Sequence, residues 1–317
     1  MGHWGWLIAI YLFLGGLGAG AYLSSFAAEK GLLGKTTNLH RVGYYVSAPI
    51  VAFGALLLIT DLGQGLKKPW LIIRMFLNPT SVMTWGIYII TAFIFVAFIK
   101  AYFVWRKRPA PEVLSYLGAI LALGTAAYTG MLLAVVEGVP FWNSYLMPVI
   151  FVASALSTGL SLTSLLAHFF GKRQVHDAKI TQVHLWLIST EIIFVAAFFA
   201  LVYSGSQEVA KQSANRLLTA SLALPFWALF VIVGLVGPLL YYIQQSLSHK
   251  STEPLLMKEQ NAYNHAGTLE NTQQGPGGNG KSQNILLLSD VAVLVGGLTL
   301  RCVIVFAALP IWSGFLN

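Results

Sequence analysis

Apolar residues run through this chain in long unbroken stretches separated by short polar connections. Eight stretches, near 5–28, 42–63, 82–105, 114–136, 145–169, 183–205, 218–246 and 285–309, are each long enough to cross a bilayer, which takes about 20 residues in a helix. Runs such as Val51 to Thr60 and Ile87 to Ile99 show no two-residue alternation, which argues against a β-barrel. The pattern predicts an all-α integral membrane protein of eight transmembrane helices. Short connections make neighbours antiparallel, and two four-helix bundles are the expected grouping.

One connection departs from this economy. Residues 247–284, with STEPLLMKEQ and NTQQGPGGNGK, are polar and rich in Gly, Gln and Asn; they bury too little apolar surface to fold and are expected to form a flexible cytoplasmic loop. The protein then divides into a seven-helix region (1–246), the loop (247–284) and the eighth helix with the C-terminus (285–317). The first stretch has no basic residue ahead of it and outruns a signal peptide's apolar region, so it is expected to remain as a helix.

Composition agrees with the pattern: 56% of the 317 residues are hydrophobic and only 9% are charged, against about 25% charged in soluble domains. The net charge is +8, and its placement carries more information than its size. Lys30, Lys35, Arg41, Arg106, Lys107, Arg108, Lys172, Arg173, Lys179, Lys250, Lys258 and Lys281 fall in alternate connections, whereas Lys67, Lys68, Arg74, Lys211 and Arg216 fall on the other side. The positive-inside rule puts the first set in the cytoplasm and both termini outside. Topology explains these bases, and no nucleic-acid partner is needed. The single cysteine, Cys302, cannot ligate an iron–sulfur cluster alone and reads as a small apolar core residue.

The few polar residues in apolar surroundings then need an account. Alternation brings Tyr11, Asp61, Arg74, Tyr128, Glu137 and Trp142 to one face of the membrane. An amphipathic pocket of this make-up suits a quinone, whose carbonyls need donors and whose tail needs lipid. Tyrosine hydroxyls donate, and a carboxylate at the water boundary passes protons. Tyr11, Tyr128, Arg74 and Trp142 are therefore candidates for holding the head group, and Asp61 and Glu137 for proton transfer. The two tyrosines fit an interfacial aromatic belt as well, and Asp61 with Arg74 fits a structural ion pair.

Deeper in the membrane lie Glu191 and Arg301. A charge at the bilayer centre costs about 2.5–3.5 kcal/mol even on lenient scales, so the two are expected to pair, either structurally or on a proton path. Asp290 and Lys100 stand nearer the helix ends, within expected reach of water. In the first helix GGLGAG, with Gly16 and Gly20 at GxxxG spacing, predicts a close helix contact. Among histidines, only His168 and His184 offer a pair for haem, and both sit at helix ends, so no haem is expected; HExxH and CxxC motifs are absent from the sequence.

Three strings resemble the NrfD/PsrC family, the membrane subunits of polysulfide-reductase-like oxidoreductases: WGWLIAIYLFLGGLGAGAYL, DLGQ…RMFLNPTSVMTWG and AYTGMLLAVVEGVPFWNSYLMPVIFVASALSTG. The resemblance covers about residues 4–165, and the later half matches mainly by hydropathy. It implies a membrane quinone (menaquinone or ubiquinone) as redox partner, with no haem or iron–sulfur cluster in this protein itself. It also implies a four-cluster ferredoxin-like iron–sulfur subunit outside the cytoplasm and a molybdopterin or multihaem cytochrome catalytic subunit beyond it. Tyr128 matches the fourth-helix tyrosine of the family's quinone pocket; where that pocket has an asparagine and a histidine on the first helix, Ile8 and Tyr11 stand here. Asp61 and Arg74 match polar residues at the ends of helices two and three. The expected function is a quinone-reactive anchor in the bacterial inner membrane, with proton translocation through Glu191 and Arg301 as an addition. A secondary transporter and a passive anchor without redox role are the alternatives.

Overall fold

The computed structural model describes residues 5–33, 39–61, 81–170, 178–247 and 280–310. Every regular element among them is a helix, and eight are long and apolar enough to cross a membrane. Helices close their own backbone hydrogen bonds, which lipid cannot do for them. They are α1 Trp6–Glu29, α2 Leu39–Asp61, α3 Val82–Trp105, α4 Glu112–Ala134, α5 Leu146–Phe170, α6 Ala178–Ser204, a short α7 Glu208–Leu218, α8 Pro225–Leu247 and α9 Gly280–Ala307.

Helices α1 to α4 close a ring of neighbouring contacts; α5, α6, α8 and α9 form a second group, which meets the first where α5 packs on α1, α2 and α4 and α9 packs on α1. The most apolar 18-residue window of α1 is 67% buried, whereas that of α6 is 17% buried. α1 is therefore the central post, and α6 faces lipid. The GGLGAG segment explains why α1 can stand there. A Cβ at Gly20 would run into the Ala155 backbone, and one at Gly159 would run into that of Gly20. Two helices thus touch backbone to backbone, which is the contact small residues permit in lipid.

Contacts fix which ends lie together. At one end the Trp6 ring lies 4.7 Å from that of Phe306, and the Trp142 indole N–H donates to the Ile304 carbonyl at 2.9 Å. At the other end Lys100 pairs with Glu29 at 2.9 Å, and the Tyr242 hydroxyl donates to Asp290 at 3.0 Å. These are the Trp6 end and the Glu29 end below.

The structure corrects one element. The seventh span begins at Pro225, not 218, because residues 208–218 fold as the separate amphipathic α7, with Ala210, Ala214 and Leu217 buried and Lys211 paired to Glu208 at 3.1 Å. Pro225 occupies the first turn of α8, where its missing N–H costs nothing. From Pro225 to Val236 the helix is wound in the wider i→i+5 form, which is rare. The last helix starts at Gly280, so residues 280–284 belong to it; Leu247 ends α8, and the rest of the expected loop lies outside the described residues.

Candidate functional site

Tyr11 is fully buried on α1, and its hydroxyl has no hydrogen-bond partner among the described residues. A buried hydroxyl left unpaired costs about 1–3 kcal/mol, so this oxygen stands out in an otherwise satisfied first bundle. Its neighbour is Tyr128 of α4, close enough for the two hydroxyls to interact electrostatically. The Tyr128 hydroxyl donates to the Met83 carbonyl at 3.4 Å, a length at the weak limit of such bonds. The ring fits because α3 offers Gly86 there; any Cβ at that position would overlap it. Two donors, one unused and one loosely held, thus meet between α1, α3 and α4, within two turns of the Trp6 end.

The other candidates for this face divide. Asp61 closes α2 at the Trp6 end, with its side chain outside the described residues, as is all of Arg74. Glu137 is exposed in the connection after α4. Trp142 is buried, and its only side-chain donor is taken by Ile304; that bond fastens the α4–α5 connection to α9.

The second group holds a different cluster. Arg301 is fully buried and donates to Ser154 Oγ at 2.5 Å, the Gly297 carbonyl at 3.0 Å and the Phe151 carbonyl at 3.4 Å. The rings of Phe151 and Phe13 lie 5.1 and 5.9 Å from the guanidinium carbon, within cation–π range. Gly16 leaves room beside it: a Cβ there would stand 3.0 Å from Nη2. Glu191 of α6 is buried as well, but it makes no ion pair with Arg301 within 4.0 Å. The direct pairing expected from the sequence is replaced by an indirect one. Ser154 stands between the two charges, and Ser154 and Ser157 both face the Glu191 carboxyl. Burying a charge in this way is tolerable only when its partners are kept.

Asp290 and Lys100 do not reach water as expected. Asp290 is fully buried, accepting from Tyr242, with His184 Nε2 3.9 Å from the same oxygen and stacked on the Tyr242 ring at 4.5 Å. Lys100 is also buried, donating to Glu29 at 3.1 Å and Ser115 at 2.6 Å, while Tyr44 donates to Glu29 at 2.5 Å. That cluster ties all four helices of the first bundle at the Glu29 end. Just outside the span, Lys30 meets Glu112 at 3.0 Å, which holds its ammonium above the usual lysine range. Among the described residues no three His, Cys, Asp or Glu side chains gather as metal ligands.

The enclosure of Asp290 with Tyr242 and His184 escapes a reading of the sequence, because each looks like an ordinary helix-end residue. Ser154, Ser157 and Ser161 escape it too, although their spacing of three and four residues on α5 is legible as one helical face.

The fold and its polar interior define a multi-pass membrane protein with a tyrosine site near one end and buried charges in its second bundle. The family model described as "Polysulphide reductase, NrfD" matches residues 2–256, and the protein belongs to that family. The C subunit of polysulfide reductase from Wolinella succinogenes is 30% identical over 264 residues, 74% of the present sequence and 81% of its own length. Protein NrfD of Escherichia coli is 27% identical over 267 residues, 74% of the present sequence and 80% of its own. The Hdr-like menaquinol oxidoreductase integral membrane subunit of Archaeoglobus fulgidus is 25% identical over 247 residues, 75% of the present sequence and 61% of its own. With its eight apolar helices, the protein is a multi-pass protein of the bacterial inner membrane.

Proposed function

We propose that this protein is the quinone-reactive membrane anchor of a respiratory oxidoreductase complex, exchanging electrons between a membrane quinone and an iron–sulfur subunit docked at the Trp6 end. The observation that carries this reading is the buried, unpaired Tyr11 hydroxyl beside Tyr128. A quinone carbonyl is an acceptor of the kind this oxygen lacks, and the loosely bonded Tyr128 hydroxyl can turn from Met83 to the ring as a second donor. The relative named as a menaquinol oxidoreductase subunit supports the same substrate class.

Oxidising a quinol releases two electrons and two protons. The electrons leave for a partner's clusters, because Cys302 is the sole cysteine of the sequence and cannot hold a cluster by itself. The protons leave through groups at the water boundary, for which Asp61 at the end of α2 and the exposed Glu137 are placed. The distribution of Lys and Arg supports an orientation with the Trp6 end outside the cytoplasm, where the iron–sulfur and catalytic subunits would sit.

The test is photolabelling of the purified complex with an azido-quinone. The expected adducts fall on peptides from α1 and α4 that contain Tyr11 and Tyr128, and excess unmodified quinone abolishes them. Competed labelling confined to the second bundle would place the quinone elsewhere.

A further inference from the structure

The turn between α3 and α4 carries three consecutive bases, Arg106, Lys107 and Arg108, and all three are exposed. Among the described residues none of them pairs with a carboxylate; the nearest acid in sequence, Glu112, is held by Lys30 at 3.0 Å. The positive-inside rule accounts for bases in this connection, but not for how they are set. Helix α3 closes with the Lys107 N–H on the Val104 carbonyl and the Arg108 N–H on the Phe103 carbonyl, both at 3.1 Å. This pair of bonds ends a helix on a left-handed residue, which is usually glycine. Here it is Lys107, with φ of 52°, the one non-glycine residue at positive φ among the described residues. A charged side chain thus stands where the backbone favours none, and Pro109 and Pro111 stiffen the path into α4.

Arg106 is fixed in place as well. Its Nε–H donates to the Tyr102 hydroxyl at 3.1 Å, and its guanidinium carbon lies 5.6 Å from the Tyr102 ring centre and 6.0 Å from that of Trp105, within cation–π range. One of the five guanidinium N–H donors is used in this way. The four on the two Nη atoms keep the planar fork that matches phosphate oxygens. Toward the membrane interior, Phe95, Phe98, Ile99 and Tyr102 are exposed at intervals of three, one and three residues, and Arg106 follows Tyr102 by four, so all five share one helix face. From Phe95 to Arg106 the face rises about 16 Å, close to the hydrocarbon depth of one leaflet, about 15 Å.

We propose that the α3–α4 turn is a binding site for an anionic glycerophospholipid. Arg106, Lys107 and Arg108 hold the phosphodiester and headgroup, and the acyl chains lie along Phe95, Phe98 and Ile99. Charge complementarity sets the headgroup: three adjacent bases without an acid favour a lipid of net negative charge and repel the cation that a zwitterionic headgroup brings with it. Each base near an anionic surface contributes about fivefold in binding. The apolar face sets the source of the phosphate, since a free phosphate ion would use the fork of Arg106 and leave the leaflet-deep face beneath it without a role. The site lies at the Glu29 end of the first bundle, where Lys100 of the same helix meets Glu29. It shares no residue with the tyrosine site and does not depend on the quinone reading.

Native mass spectrometry of the full-length protein in detergent, titrated with phosphatidylglycerol or phosphatidylcholine, tests the site. Wild type should retain phosphatidylglycerol at least tenfold more tightly, and the Arg106→Gln/Lys107→Gly/Arg108→Gln variant should lose at least tenfold of that preference. Lys107→Gly alone restores the residue that the turn favours, so it should melt no earlier than wild type and still bind phosphatidylglycerol about fivefold more weakly. Equal retention of the two lipids by wild type overturns the proposal, as does an unchanged preference in the triple variant. If the triple variant fails to fold, Lys107→Gly decides, and unchanged binding there overturns the proposal. Two competitors test the other anions that could use the bases. Release of phosphatidylglycerol by inorganic phosphate would assign them to a free ion, and release by a polyglutamate peptide to an acidic protein segment; either result overturns the lipid site.

Discussion

At the scale of single residues, Tyr11 is the enclosed hydroxyl of the first bundle that holds nothing among the described residues. It gives a prediction that separates a binding residue from a packing one. Tyr11→Phe removes an unpaired buried hydroxyl, so thermal stability in detergent should hold or rise by about 1 kcal/mol. Quinol-dependent electron flow should fall about tenfold, or about 1.4 kcal/mol of lost transition-state stabilisation. A loss of stability with unaltered electron flow would make Tyr11 a core residue. Arg301→Met runs the other way. It strips the partner from Ser154 and leaves Glu191 with no nearby cation, so the fold should lose about 3–5 kcal/mol, read as an early-melting peak in size-exclusion thermal scans. The sequence pointed to Arg301 and Glu191 by cost alone, since charges in mid-membrane demand a reason. It could not show that Ser154 would stand between them, because a serine carries no such cost.

At the scale of elements, glycine placement decides what each helix can approach. Gly86→Val should push the Tyr128 ring from its slot. The complex should assemble, and its quinol activity should fall to that of a tyrosine-site variant. Gly20→Leu meets the Ala155 backbone, not a movable side chain, so no folded protein should be recovered by fluorescence-detected size exclusion. Equal yields for the two variants would contradict this ordering. Most of the elements were readable from hydropathy, because spans such as 82–105 are set by length and apolarity. The start of α8 was not. Leu217 and Leu218 continue the apolar pattern, while the amphipathic periodicity of 208–218 and the stop at Pro225 mark a separate helix lying against α6, α8 and α9. Gly86 was hidden for a similar reason, as its role depends on the ring of Tyr128 across a helix boundary.

At the scale of the whole molecule, the two bundles divide the work. The first encloses the tyrosine site near the Trp6 end and is tied at the other end by Glu29, Lys100, Tyr44 and Ser115. The second holds the buried Asp290, Glu191 and Arg301, and it meets the first where α5 packs on α1, α2 and α4 and α9 packs on α1. This arrangement requires a definite orientation. In a Cys302→Ser background, a membrane-impermeant maleimide should label Glu112→Cys only from the cytoplasmic side and Glu208→Cys only from the outside. The reverse pattern would move the partner-docking face into the cytoplasm. The convergence of Tyr11 and Tyr128 was legible from alternation of the spans, since both lie about two turns from the same membrane face. Asp290 was not legible, because hydropathy places it near a helix end while packing with Tyr242 and His184 encloses it.

The most direct test of the central claim is the rate at which a quinol analogue reduces the iron–sulfur clusters of the purified complex, in wild type and in Tyr128→Phe. Fast reduction in wild type that falls at least tenfold in the variant, with assembly and cluster content unchanged, is the predicted result. Equal rates in the two proteins, or no reduction in either, would contradict it.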